Sequence, residues 1–213
     1  DAYEIGAKTQ WLDYRLRANL SAFHMNYRGM QANSGQLDES GAITIKFLNI
    51  GDAKIYGAEA ELLFAPTRAW EVTLGVGILD TKISASDSIL IDGRPINGKK
   101  LASAPGFNAN GALRYRHQLG RLGTLTMQTS FRYQGDVYFG PDNNPYERQG
   151  GFGVLNLGAG WTDPDEKFNV QFLAENVTDK NYATHAFQSR GFPVSYRALG
   201  MPRRYGAKFT FSF

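Results

Sequence analysis

Two carboxylates and two aromatic-basic segments are the places where this sequence could do chemistry. Glu59 and Glu61 stand two residues apart, a spacing that puts both on one face of a strand. No second catalytic group is placed opposite them, so they do not form a general acid–base pair. Residues 178–202 carry Tyr182, His185, Phe187, Arg190, Phe192, Tyr196 and Arg197, and residues 140–150 carry Tyr146 and Arg148, just after Tyr138 and Phe139. Aromatic faces beside guanidinium groups can stack on a planar anionic group and donate charge-assisted hydrogen bonds to it. The same side chains could instead pack loops against one another. Other chemistries are excluded. His24, His117 and His185 lack metal-ligand spacing, and the absence of cysteine removes thiolate sites and cysteine nucleophiles. No G-x-S-x-G or Walker loop occurs, and Gly151-Phe152-Gly153 has Asn156 where a dinucleotide loop needs its third glycine. The sequence therefore predicts no enzyme, no cofactor and no resident metal.

The elements that must position these residues read as strands. Among 213 residues, 24 are glycine, about 11% against a usual ~7%, and 13% are aromatic. A net charge of +3 is too small for a nucleic-acid partner. Apolar and polar residues alternate with period two along nine segments: 3–11, 15–22, 56–64, 70–78, 107–115, 125–133, 155–161, 168–174 and 204–213. In 70–78, for example, Trp70, Val72, Leu74, Val76 and Ile78 oppose Glu71, Thr73, Gly75 and Gly77. After Ala22 the apolar set slips to Phe23, Met25 and Tyr27, which predicts either a bulge or a strand rising out of an apolar layer. Residues 43–55 are less regular and extend the third strand upward through Gly51.

Connection lengths alternate as well. Residues 12–14, 65–69, 118–123 and 162–166 are tight, whereas 29–41, 81–106, 140–150 and 178–202 are long. Short turns on one side and long loops on the other are the signature of a membrane barrel. Tyr3, Trp11, Tyr14, Trp70, Tyr115, Tyr133 and Trp161 flank the apolar faces near strand ends, as an interfacial girdle does. The first residues, Asp1-Ala2-Tyr3-Glu4-Ile5, read as the middle of a strand rather than a signal peptide, while the last strand stops on an aromatic. The expected fold is all-β: an antiparallel transmembrane β-barrel segment. A soluble β-sandwich binding module would show the same alternation but has no reason to sort loop length by side.

Asn176-Val177-Thr178-Asp179-Lys180-Asn181-Tyr182 reads N-[LV]-x-D-x-x-Y at the top of the penultimate strand, and in this it resembles the TonB-dependent outer-membrane receptor family. Gly200-Met201-Pro202-Arg203-Arg204-Tyr205-Gly206 resembles its approach to the last strand, and the chain ends on Phe209-x-Phe211-x-Phe213. Upstream, the stretch from Asn49 through Glu61 resembles N-x-G-x-A-x-x-x-G-x-E-x-E, and Ala102-Ser103-Ala104-Pro105-Gly106-Phe107 resembles P-x-x-P-x-F with Ala102 for the first proline.

The resemblance implies a plugged barrel of roughly 22 strands, of which residues 1–213 would be the C-terminal part, about nine strands, with the plug domain and the earlier strands absent. It implies the outer membrane of a Gram-negative bacterium and TonB-driven uptake of a ferric siderophore or a similar scarce chelate. Partners so implied are outer-membrane lipid, the TonB complex through the missing N-terminal part, and the barrel-assembly machinery. Glu59 and Glu61 would then face the plug. Tyr138, Tyr146, Arg148, Tyr182, His185, Phe187, Arg190, Phe192 and Tyr196 would line the extracellular ligand site. Gly206, Phe209, Phe211 and Phe213 would form the assembly signal. A small self-contained outer-membrane barrel, structural or adhesive, is the competing membrane reading.

Overall fold

A computed structural model describes residues 1–37, 43–91, 93–188 and 194–213. The strands in chain order are β1 (Ala2–Trp11), β2 (Leu16–Leu37), β3 (Ile43–Phe64), β4 (Trp70–Ser84), β5 (Leu90–Ile91), β6 (Arg94–Pro95), β7 (Phe107–Gln118), β8 (Thr124–Gln134), β9 (Val137–Tyr138), β10 (Arg148–Gln149), β11 (Phe152–Thr162), β12 (Phe168–Glu175), β13 (Ala183–Gln188), β14 (Ser195–Leu199) and β15 (Arg204–Phe211). Nine of them form one antiparallel sheet in the order β1-β2-β3-β4-β7-β8-β11-β12-β15. These are the nine expected strands. The other six pair off as β5–β6, β9–β10 and β13–β14, each inside a long loop. The nine-stranded sheet ends at β1 and β15 without closing on itself, so the described residues do not make a self-contained barrel.

Register converts the period-two pattern into two faces, because residues directly opposite on neighbouring strands point the same way. One row crosses the whole sheet: Trp11, Leu16, Phe64, Val72, Leu113, Thr129, Leu157, Ala174, Tyr205. Its one polar member, Thr129, donates its hydroxyl to the Asn156 carbonyl at 3.2 Å. The adjacent row is polar and contains Gln10, Arg17, Leu63, Thr73, Ala112, Ser130 and Asn156.

The apolar face has nothing covering it. Ile5 is 77% exposed, Phe172 61% and Phe209 66%. In water each such side chain would forgo roughly 1.5–3 kcal/mol of burial. The buried hydrophobics of the described residues, including Ile50, Ile83, Ile91, Ile96, Val137 and Ala186, lie in the upper strands and long loops, not between two sheets. A sandwich would bury its apolar faces against each other, and this sheet does not.

The apolar band has clear borders. From Tyr56 to Phe64 the strand runs about 27 Å, which at a tilt of roughly 40° covers about 21 Å along the membrane normal, most of the ~25 Å band of an outer-membrane barrel. Trp70 and Tyr115 pack as tilted rings, 4.4 Å between centroids, on the short-turn border, where the Trp161 indole N–H also donates to the Leu122 carbonyl at 2.7 Å. At the long-loop border Tyr3 stands opposite His24, which stacks on Tyr56 at 4.3 Å.

Above that border the polarity reverses. Lys54 and Lys82 pair on the outward face, while Ala53 and Ile83 pair on the inward face and are buried. This reversal explains the slip after Ala22. Register runs unbroken through Tyr27, so Phe23, Met25 and Tyr27 simply occupy the inward face, and the irregularity lies later, between Tyr27 and Gln31. The Phe23 ring lies over Gly57, where a Cβ would come within 2.2 Å of it. The expected loop 29–41 is therefore corrected: β2 and β3 continue as a paired ribbon to Leu37 and Ile43.

An arginine placed on the two faces of one strand should separate them. In the protein reconstituted in phospholipid vesicles, Leu20→Arg is expected to cost about 2–4 kcal/mol of unfolding free energy, while Ser21→Arg, on the polar face beside Glu59, costs less than about 1 kcal/mol. Denaturant titration of both variants checks this.

Candidate functional site

The three long loops with described hairpins are joined by polar side chains rather than stacked loosely. Residues 135–151 are the centre. Asn144, at 1% exposure, caps the short turn that follows it by accepting from the Tyr146 N–H at 3.1 Å. Its Oδ1 also accepts from Arg94 Nη1 at 3.1 Å, and its Nδ2 donates to Gln188 Oε1 at 2.9 Å. One amide thus holds the loop before β7 on one side and β13 on the other. Buried Glu147 accepts the Gln188 N–H at 2.8 Å, Gln149 Oε1 accepts the Ala183 N–H at 2.8 Å, and Asn143 exchanges two 2.9 Å bonds with the Lys100 backbone. Asp142, also buried, lies 3.9 Å from Arg94. The low dielectric of a buried network strengthens each bond and makes each loss expensive.

The β13–β14 hairpin has two unlike faces. Ala186, Gln188 and Arg197 lie on the face turned to residues 135–151: Ala186 is buried, and Arg197 donates to the carbonyls of Tyr146 and Arg148 at 3.3 and 3.2 Å. The other face carries His185, Phe187 and Tyr196, with Phe187 directly opposite Tyr196. Phe187 is 46% and Tyr196 53% exposed. His185 lies between Phe139, 5.3 Å away, and Tyr196, 6.0 Å away.

The expected site residues therefore separate. His185, Phe187 and Tyr196 gather on one face of β13–β14, whereas Tyr138 stands opposite Arg148 in the β9–β10 pair. Tyr146 is exposed beside them, and Arg148 is paired with Asp136 at 3.4 Å. Tyr182 instead stacks on Phe152 at 4.2 Å. Arg190 and Phe192 lie outside the described residues. Glu59 and Glu61 stand on the polar face, exposed, with Asn19 donating to Glu61 at 3.3 Å. Phe209 and Phe211 stand on the apolar face and Phe213 extends their row at 4.9 Å from Phe211, whereas Gly206 falls on the polar face opposite Leu173. Among the described residues, no three His, Asp or Glu side chains converge as metal ligands.

Sequence reasoning missed what Asn176 does. It takes a left-handed φ of 48°, which asparagine tolerates better than most residues. Buried at 3% exposure, its side chain donates to the Lys180 and Met201 carbonyls at 3.0 Å and accepts the Lys180 N–H at 2.8 Å. Asp179 accepts the Arg203 N–H at 2.9 Å. The Asn-x-x-Asp spacing is thus a staple that brings the start and end of residues 176–203 together above β12 and β15.

An open apolar face, an aromatic border at each end, a polar opposite face and a layered set of long loops define the wall of a transmembrane β-barrel. The family profile described as TonB dependent receptor-like, beta-barrel matches residues 1–177, and the chain belongs to that family. The ferripyoverdine receptor of Pseudomonas aeruginosa is 29% identical over 94% of this chain, which spans 23% of that protein's length. Among solved structures, the ferric yersiniabactin uptake receptor FyuA from Yersinia pestis superimposes with a TM-score of 0.80 at 20% identity, over 100% of this chain and 29% of that one. The copper transporter OprC does so with a TM-score of 0.72 at 18% identity, over 100% of this chain and 32% of that one. These superpositions show the shared fold: this chain is a partial barrel, in a family of receptors and transporters rather than enzymes.

Truncating the loop centre tests its role. Asn144→Ala removes the acceptor of two donors and the donor to Gln188, and should weaken the loop layer by about 1–3 kcal/mol. Limited proteolysis should then cut residues 135–151 at least several-fold faster, with the barrel strands still protected.

Proposed function

We propose that this chain is the wall and part of the extracellular loop layer of an outer-membrane receptor that takes up a ferric siderophore or a similar scarce chelate, driven by TonB. The observation that carries this reading is the open aromatic face of β13–β14. Phe187 and Tyr196 are held out by a hairpin whose other face is bound to the neighbouring loop. Rings presented on a braced support can stack on a flat, delocalised ligand without first paying for loop ordering. The 29% identity to a ferripyoverdine receptor supports the same ligand class. The fold alone does not choose it, since a copper transporter shares that fold.

In this reading the plug and the TonB-contacting segment belong to the rest of the protein. Glu59 and Glu61 face the plug across the lumen, the apolar face meets outer-membrane lipid, and the terminal Phe209, Phe211 and Phe213 row, with Gly206 beside it, is read by the barrel-assembly machinery. Arg190 and Phe192 complete the ligand-binding set with the exposed loop aromatics.

Uptake of radiolabelled ferric siderophores by cells carrying the whole receptor tests this. One chelate should accumulate only when the receptor is present and the TonB system is intact. Phe187→Ala with Tyr196→Ala should weaken binding of that chelate several-fold to about a hundredfold, from roughly 0.5–1.5 kcal/mol per stacked ring, with normal receptor levels at the surface. Receptor-independent accumulation of every chelate tried would contradict the proposal.

A further inference from the structure

We propose that Arg132 is an anion-binding residue of the inner wall, taking a carboxylate or catecholate group of the chelate where it leaves the loop layer; this rests on the uptake reading above. Arg132 belongs to the polar row Lys8, Asn19, Glu61, Gly75, Asn110, Arg132, Val154. It lies beside Tyr133, the aromatic at the upper border of the apolar band, and so directly beneath the loops.

Its guanidinium is exposed and is placed by rings rather than by a carboxylate. Cζ sits 6.0 Å from the centroids of both Phe152 and Tyr182, which are stacked on each other. Among the described residues no acceptor or carboxylate engages its N–H groups. Phe152 comes from the wall and Tyr182 from the stapled loop, so the charge is held where loop and wall meet. A cation fixed against aromatic faces keeps its five donors free.

The surroundings favour an anion. The inward faces of β7, β8 and β11 carry Arg114, Arg116 and Arg132 with no carboxylate among them, and Arg114 is already paired with Glu71 of β4 at 3.1 Å. Glu61 lies in the same row as Arg132 but three strands away, about 14 Å, too far for an ion pair. Between them Gly75 leaves a floor over which the Asn110 amide lies: a Cβ on Gly75 would come within 2.6 Å of Asn110 Oδ1. The wall thus has an acidic bank, an amide-covered floor and a basic bank, and among the described residues the planar donor left open to an incoming oxyanion is Arg132. Arginine suits this role because its fork matches a carboxylate or catecholate edge with two parallel hydrogen bonds.

Equilibrium binding to the purified whole receptor decides the matter, with ferripyoverdine, a trianionic ferric tris-catecholate and a neutral ferric trihydroxamate as probes. Wild type should bind an anionic probe. Arg132→Gln should weaken that binding about tenfold and flatten its dependence on salt, and Arg132→Lys should keep the salt dependence with a smaller loss. Heat-modifiable mobility in electrophoresis should show a folded barrel in all three proteins. An anionic probe bound equally by wild type and Arg132→Gln, or by wild type with no salt dependence, overturns the assignment while leaving the uptake reading standing, as does binding of the neutral probe alone. Binding of none of the chelates by wild type overturns the uptake reading itself.

Discussion

In hydrocarbon a peptide N–H or C=O without a protein partner has no water to turn to, and leaving one bare costs several kcal/mol. Everything in this chain follows from meeting that demand across a sheet. Nine strands pair in chain order, each with its neighbour, so their backbones satisfy one another while side chains divide strictly between two faces. The row from Trp11 to Tyr205 shows how complete the division is: nine strands contribute one residue each, and the single aliphatic hydroxyl among them, that of Thr129, bonds back to a carbonyl. The two outer strands keep one side unpaired within the described residues, which fits a chain spanning 23% of its curated relative.

The same constraint, lifted above the membrane border, produces the functional layer. There the outward face turns to water, Lys54 and Lys82 replace the aromatics, and the inward face becomes apolar enough to bury Ile83 beside Ile50, Ile91 and Ile96. That small core anchors the loop before β7. The loops can then be tied laterally by buried amides, with Asn144 as the shared partner of Arg94, Tyr146 and Gln188. Such bracing frees the far side of β13–β14 to present rings. The inner wall below has the opposite character, with glycine and asparagine giving a low floor and charges kept to its banks.

Much of this was legible in the residues. Strands such as β1 and β7 carry an aromatic at each border eight positions apart, Tyr3 with Trp11 and Phe107 with Tyr115, so both period and length could be read. The alternation of short and long connections showed which ends share a side. The ribbon of β2 and β3 was harder to see, because its polarity inverts near Phe23 and an inverted strand reads like a loop in a pattern that expects one apolar face. The loop hairpins were invisible, since two-residue strands such as β9 and β10 carry no period. Tyr182 and Asn176 were conspicuous as motif residues, but a motif does not reveal that its tyrosine stacks on Phe152 or that its asparagine closes a staple. Arg132 looked like any polar residue of an alternating strand; only the structure shows that no carboxylate of the described residues lies beside it and that rings from two elements hold it.

This chain has no cysteine, so once any cysteine elsewhere in the receptor is replaced, a single cysteine introduced into the sheet reports its surroundings cleanly. A fluorophore placed in the whole receptor in lipid bilayers at Leu74 or Phe172 should be quenched by nitroxide-labelled lipid and shielded from aqueous iodide. At the adjoining Thr73 or Gln171 the pattern should be the reverse. Aqueous quenching at Leu74 and Phe172, with lipid quenching at Thr73 and Gln171, would contradict the account at its root.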